Sequence, residues 1–278
     1  NDGSKARDTY TLLSSVIGKV EPCKAVIEGI HAEGPCVVDC GGLPATVHQR
    51  SPPKEFEALV KDMLPAGLKM MTLAPSLDAK DDYARLKILL EHKVLPSLGH
   101  DRHCSEADIL GAMTVAQAKG VRCHVTHLFN VSSFHHRKPS LVNFGMANEL
   151  PKLAAYATLT SPTVEIIADM AHVHPLTLAT LMSSKNIHDV VCVTDSVLEP
   201  TVGSSVNYDG RKMVVQQSGL AVVLEGTETM AGSCCSMLRT FHNLVSVLDL
   251  SIAQASLLVS TNPARRLGLS HVGSIRVR

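Results

Sequence analysis

The stretch Val121-Arg122-Cys123-His124-Val125-Thr126-His127-Leu128-Phe129-Asn130 decides how the chain is read. It is a short, β-rich apolar run that stops in His-Leu-Phe-Asn, the pattern of a buried strand delivering polar groups to one end of a sheet. α/β proteins bind their ligands at such ends. Side chains on a strand alternate between faces, so His124 and His127, three apart, are expected on opposite sides of the sheet. One of them is then a candidate ligand and the other a packing residue.

Outward from this stretch the same unit recurs. A helix over residues 8–19 precedes a strand at 25–31, and Pro52-Pro53 opens a helix through Leu64 ahead of a strand at 69–74. A helix at 81–92, a strand at 94–100 and a helix capped by Ser105 and ended at Gly120 make the opening stretch the fourth strand. After a basic, His-bearing loop and a short helix near 148–156 come a strand at 164–169, a helix at 175–184 and a strand at 190–195. Residues 205–228, punctuated by Tyr208-Asp209-Gly210-Arg211 and Gln217-Ser218-Gly219, read as hairpins inserted after the sixth strand. Helices at 233–248 and 252–260 follow.

Strand and helix in alternation predict an α/β fold with right-handed parallel crossovers, either a doubly wound sheet or a (β/α)8 barrel of the TIM type. Polar groups close five of the six strands, at Glu33, His100, His127, Asp169 and Asp195. An open sheet gathers its site at one switch point, whereas converging strand ends make a ring, so the barrel is favoured.

The 278 residues are 45% hydrophobic, enough for one large core. Lys plus Arg equals Asp plus Glu at 26 each, which implies no basic face for nucleic acid. With 3% aromatic residues and no Trp, stacking platforms are not expected, and a small polar molecule fits better as partner. The eight cysteines include no C-x-x-C pair and read as reduced thiols of a cytoplasmic protein. No signal peptide or membrane span is legible.

Glu33, His100 and His127 come from three strand ends and supply one carboxylate and two imidazoles, a common ligand set for zinc or another divalent metal. Such a set leaves positions open for water, and hydrolysis is the natural reaction. Asp195 ends a nearly all-apolar strand, where an isolated carboxylate is costly, and is expected to be the proton shuttle. In this company His127 is the favoured ligand of the opening stretch, and His124 the packing residue. The remaining histidines, His103, His135, His136, His174 and His188 among them, read as surface or packing groups.

Seven segments occur in order: Ile30-His31-Ala32-Glu33-Gly34-Pro35, Leu98-Gly99-His100, Thr126-His127-Leu128-Phe129-Asn130, Asp169-Met170-Ala171-His172, Val193-Thr194-Asp195, Met230-Ala231-Gly232-Ser233 and Asn262-Pro263-Ala264-Arg265. Over residues 15–275 the chain resembles the N-acetylglucosamine-6-phosphate deacetylase family of the amidohydrolase superfamily. The resemblance implies Glu33, His100 and His127 as metal ligands and Asp195 as the catalytic aspartate. It also implies Asn130 and the backbone of Val131 at the sugar, Arg137 and His172 at the phosphate, and Met230, Ala231 and Gly232 at the acyl end. His48, in Gly41-Gly42-Leu43-Pro44-Ala45-Thr46-Val47-His48, stands where the family has a Gly-Ala-His element that contacts substrate.

By the same resemblance the chain corresponds to barrel strands three to eight, a single partial catalytic domain over 1–278, without the flanking β-sandwich. The sequence opens without Met and reads as starting partway into a fold. A divalent metal, a phosphorylated amino sugar as substrate and a homodimer are implied. The alternatives are an amidohydrolase acting on another acetylated amino sugar or a cyclic amide, and a non-catalytic relative.

Overall fold

A serine followed three residues later by an acid, ahead of an apolar run, is a helix start. Asp108 N–H donates to Ser105 Oγ at 3.2 Å while Ser105 N–H donates to Asp108 Oδ2 at 2.8 Å, and the box so closed opens α5 (Glu106–Ala118). Gly120, at φ +71°, follows its end. Side-chain caps of this kind recur at other helices of the computed structural model, which describes residues 4–43, 51–198, 201–208 and 210–275.

Six parallel strands form one sheet in sequence order: β1 (Ile30–Glu33), β2 (Leu68–Leu73), β3 (Leu95–Leu98), β4 (His124–Val125), β5 (Thr163–Ile167) and β6 (Val190–Val193). An order without reversal has no switch point, so every right-handed crossover lays its helix on the same face and the sheet curls. The intervening helices are α2 (Pro53–Met63), α3 (Pro75–Ala79), α4 (Ala84–Glu91), α5, α6 (Leu141–Met146) and α7 (Pro175–Ser184). The result is a partial (β/α) barrel. Among the described residues, β1 and β6 each pair along one edge. No helix among them is long and apolar enough to cross a membrane.

The two faces of the curl differ. On the outer face Met71, Leu73, Leu98, Val125, Val164, Ile166 and Cys192 meet Phe56, Val60, Leu86, Leu89, Ile109, Leu178 and Leu181 of the helices in one apolar core. The inner face is polar. His31 Nε2 bonds Thr72 Oγ1 at 2.8 Å, Thr72 bonds Thr126 at 2.8 Å, and His124 bonds Thr163 Oγ1 at 2.6 Å and Glu165 Oε1 at 3.1 Å. Each of these buried groups of the layer thus has a partner, as burial demands.

Several boundaries differ from the sequence expectation. The first helix is α1 (Ser4–Ser14), not 8–19. The hydroxyls of Ser14 and Ser15 turn back onto the carbonyls of Thr11 and Leu12 as it ends. Strand 25–31 becomes β1, because pairing with β2 starts only at Ile30↔Leu68. Asp82 and Tyr83 adopt positive φ, which delays α4 to Ala84. The segment 205–233 forms an antiparallel sheet, β7 (Ser205–Tyr208), β8 (Arg211–Val215), β9 (Ala221–Leu224) and β10 (Met230–Ser233), so the helix expected from 233 starts later, as α8 (Met237–Ser246). Finally, α9 (Ile252–Ser256) continues through a π-helical turn, Leu257–Thr261, into α10 (Asn262–Arg266). The wider turn falls just before Pro263, which has no N–H to give to a helical ladder.

The largest correction is at β4. Only His124 and Val125 pair as a strand, and the chain then turns, with His127 at φ +27°. The break resets the alternation, so His124 and His127 do not lie on opposite faces. Both belong to the inner side, His124 in the polar layer and His127 nearer the strand ends.

Arg85, 0% exposed, ties α4 to its surroundings. Its guanidinium lies 3.0 Å from Asp78 Oδ1 and 2.7 Å from Asp81 Oδ2, and its Nε donates to Ser51 O at 2.9 Å. Removing one partner of a buried pair strands the other. Arg85→Met is therefore expected to cost about 3–5 kcal/mol in urea unfolding, with part recovered in Asp78→Asn/Arg85→Met. A loss below about 1 kcal/mol would contradict the role given to this pair.

Candidate metal centre

Glu33 is the last residue of β1, and His100 and His127 each lie two residues beyond β3 and β4. The curl of the sheet brings these ends together. His100 Nε2 lies 2.6 Å and His127 Nε2 2.9 Å from the same Glu33 Oε1, and the two nitrogens are 3.0 Å apart. Among the described residues this is the group of three or more His, Cys, Asp or Glu whose donor atoms all lie within 4.8 Å of one another. His100 Nδ1 sits 2.6 Å from the carbonyl oxygen of Asp39, which can only accept. That contact places a proton on Nδ1 and leaves Nε2 as the nitrogen directed at the cluster. Two imidazole nitrogens and a carboxylate oxygen converging on one point fit a divalent cation.

The backbone is strained here. His100, His127 and Asp195 have φ of +53°, +27° and +50°, and Val131 has +50°. Non-glycine residues in this region cost about 1–3 kcal/mol each and persist only where the surroundings over-determine them. At Asp195 the restraint is visible, since Ser233 N–H of β10 donates to its carbonyl at 2.7 Å.

The charges are coupled. Burial would raise the Glu33 carboxyl, but hydrogen bonds from His100 and His127 outweigh it and hold Glu33 well below the usual carboxylate range. Burial would depress His127, yet the hydrogen bond and charge of Glu33, helped by Asp195, lift it to about 9. The surrounding protein desolvates Asp195 and raises its carboxyl, with His127 opposing and Glu33 adding to the rise. Beneath them Glu165, pushed up by burial but pulled down further by His31 and His124, falls to about 2. An excess of negative charge thus surrounds two imidazoles, a setting that favours a bound cation.

A cavity of about 430 Å³ opens beside this cluster. Glu33, His100, Asp195, Asn130, Val131, Met230, Ala231 and Gly232 all line it, so most residues expected from sequence meet in one place. His127 stands behind Glu33 and His100, 4% exposed. Arg137 is exposed on the loop before α6, outside the cavity lining. His172 is likewise outside the lining, turned toward Asp169, its Nδ1 2.6 Å from Oδ2. His48 lies outside the described residues.

Sequence reasoning missed the opposite wall. Val197, Val206, Tyr208 and Met213 line the cavity, three of them carried there by the antiparallel sheet. No motif marks them, because their place depends on how that sheet docks. Gly42 was legible in principle, as half of a Gly-Gly pair. A Cβ on it would come within 2.5 Å of Ala231 Cα and 2.7 Å of Met230 O, so only glycine lets the loop after β1 press on β10.

These features define a partial (β/α) barrel with a candidate metal site at its strand ends, and the family comparison agrees with that class. Residues 6–278 match the amidohydrolase family model, and the chain belongs to the amidohydrolase family. It is similar to the N-acetylglucosamine-6-phosphate deacetylase of Bacillus subtilis (strain 168), 29% identical over 259 residues, covering 91% of this chain and 59% of that protein. The Bos taurus protein of the same name is 31% identical over 260 residues, covering 89% and 58%. The chain thus spans about three fifths of the length of these curated relatives. In fold it resembles the crystal structure of N-acetylglucosamine-6-phosphate deacetylase from Pasteurella multocida, with TM-score 0.78, 18% identity, and coverage of 100% of this chain and 67% of that one.

A histidine must be neutral to hold a cation, and His127 titrates at about 9 without one, so at neutral pH a proton has to leave. Uptake of a divalent ion at pH 7 is expected to release about one proton, read by calorimetry in buffers of different ionisation enthalpy. Affinity should rise about tenfold per pH unit up to about 9 and then level off. No proton release would show that His127 does not take part. Separately, Gly42→Ala is expected to lower stability by about 1–3 kcal/mol in urea unfolding, as overpacking does. An unchanged midpoint would mean the loop yields freely.

Proposed function

We propose that this chain holds a divalent metal, zinc first among candidates, between Glu33, His100 and His127, and hydrolyses the acetamide of N-acetylglucosamine 6-phosphate to glucosamine 6-phosphate and acetate. The observation that carries the reading is the convergence of the three donors beside a cavity that Glu33, His100 and Asp195 line. Membership of the amidohydrolase family and the names of the relatives support it. On this reading residues 1–278 act as one catalytic unit.

A divalent ion held by these residues supplies Lewis acidity toward a carbonyl and acidifies water. The chain's own groups do the rest. Asp195, whose carboxyl is raised by desolvation, takes a proton from the attacking water and returns it to the departing amine nitrogen. His100, fixed by the Asp39 carbonyl, keeps its Nε2 turned toward the ligand cluster. Asn130 and the Val131 backbone orient the sugar, Arg137 and His172 serve the phosphate, and Met230, Ala231 and Gly232 receive the acyl end. The guanidinium fork suits phosphate oxygens. Val197, Val206 and Met213 give the cavity an apolar wall that keeps bulk water from the amide.

The test is release of acetate from N-acetylglucosamine 6-phosphate by the metal-loaded chain. Asp195→Asn is expected to lower kcat by about 10²–10⁴-fold with metal content unchanged. Turnover close to that of the parent would remove Asp195 from the reaction. Equal kcat/KM for the phosphorylated and unphosphorylated sugar would remove the phosphate from the substrate, and faster turnover of another acetylated amino sugar phosphate would reassign the sugar.

A further inference from the structure

β5 and β6 are neighbours with Ile167 beside Val193, and two residues beyond each lies an aspartate, Asp169 and Asp195. Asp195 faces the cavity. Asp169 is fully buried, and its carboxylate is spent locally. Oδ1 accepts from the N–H groups of Ala171 and His172 at 2.9 and 2.8 Å, and Oδ2 lies 2.6 Å from His172 Nδ1. Met170, between them, is held at φ +69°. Asn243 of α8 closes the turn from below, its Nδ2 donating to Ala168 O at 3.0 Å.

A carboxylate with its donors already in place can only accept, so the ring proton of His172 stays on Nδ1. The other nitrogen is the unexplained atom. His172 Nε2 is buried, on a side chain 1% exposed, and has no hydrogen-bond partner. Leaving a buried polar atom unpaired is costly, and in native proteins such an atom points to a ligand or a function. His172 is also near enough to Asp195 for the two side chains to interact electrostatically.

We propose that Asp169 is a positioning residue: it fixes the tautomer and direction of His172, which lies outside the cavity lining, so that Nε2 is held ready for the phosphorylated amino sugar. The idea rests on the reading of the substrate given above and adds the residue through which His172 is aimed. It follows the logic by which a buried carboxylate orients a catalytic imidazole, where replacing the acid by its amide keeps the shape and inverts the tautomer.

Asp169→Asn keeps an oxygen for the two backbone donors but turns an amide N–H₂ toward Nδ1. In long-range ¹H–¹⁵N spectra of the metal-loaded chain, His172 is expected as the Nδ1–H tautomer in the parent and as Nε2–H in the variant. KM for N-acetylglucosamine 6-phosphate should rise about 10–100-fold, with kcat changed less. In a His172→Gln background, Asp169→Asn should then change KM by less than about twofold, because the group it acts through is gone. A merely structural Asp169 would give penalties that multiply. An unchanged tautomer, or multiplying penalties, overturns the proposal. If the parent binds but does not hydrolyse, the same cycle read as Kd for glucosamine 6-phosphate tests Asp169 while the hydrolytic reading fails alone. A parent that binds neither sugar phosphate overturns both.

Discussion

One oxygen holds the candidate centre together. Glu33 Oε1 lies within 2.9 Å of both His100 Nε2 and His127 Nε2, so the ends of β1, β3 and β4 meet at one carboxylate. No two of these residues are near in sequence. They meet because a parallel sheet wound in strict sequence order curls and its C-terminal ends converge. The carboxylate faces both ring nitrogens, and their hydrogen bonds keep it ionised despite burial.

The inner face explains how such a cluster is supported. A sheet with apolar residues on both faces would leave strand-end polar groups without neighbours. Here Thr72, Ser97, Thr126, Thr163 and Glu165 line the inner side and satisfy one another and the buried His124. The layer fixes the strands at the depth just beneath the centre. Above it the backbone takes left-handed turns at His100, His127, Met170 and Asp195, all just past strand ends. Strain gathered at these positions is characteristic of sites where direction matters more than local stability.

The small antiparallel sheet is the second device. β10 hydrogen-bonds the Asp195 backbone, and Gly42 presses on it from the loop after β1. The cavity therefore has a charged side made by the barrel and an apolar side made by the sheet. Neither alone encloses a site.

Much of this was legible in the sequence. Helix caps such as Ser105, prolines at helix starts and strand-forming runs announced the alternation, because they act through neighbours a few residues away. Polar residues at the ends of apolar strands announced Glu33, His100, His127 and Asp195 as candidates, since an ionisable group there is costly unless it has a use. The sequence could not show that β4 is two residues long, and the expected alternation misplaced His124 for that reason. Nor could it show that Val206, Tyr208 and Met213 come over the cavity, or that the Nε2 of His172 is left without a partner. Local chemistry along the chain determined the element types and the candidate groups. Which of those groups meet was decided by the curl of the sheet and the docking of the hairpins, because convergence in space depends on register and packing between segments far apart in the chain.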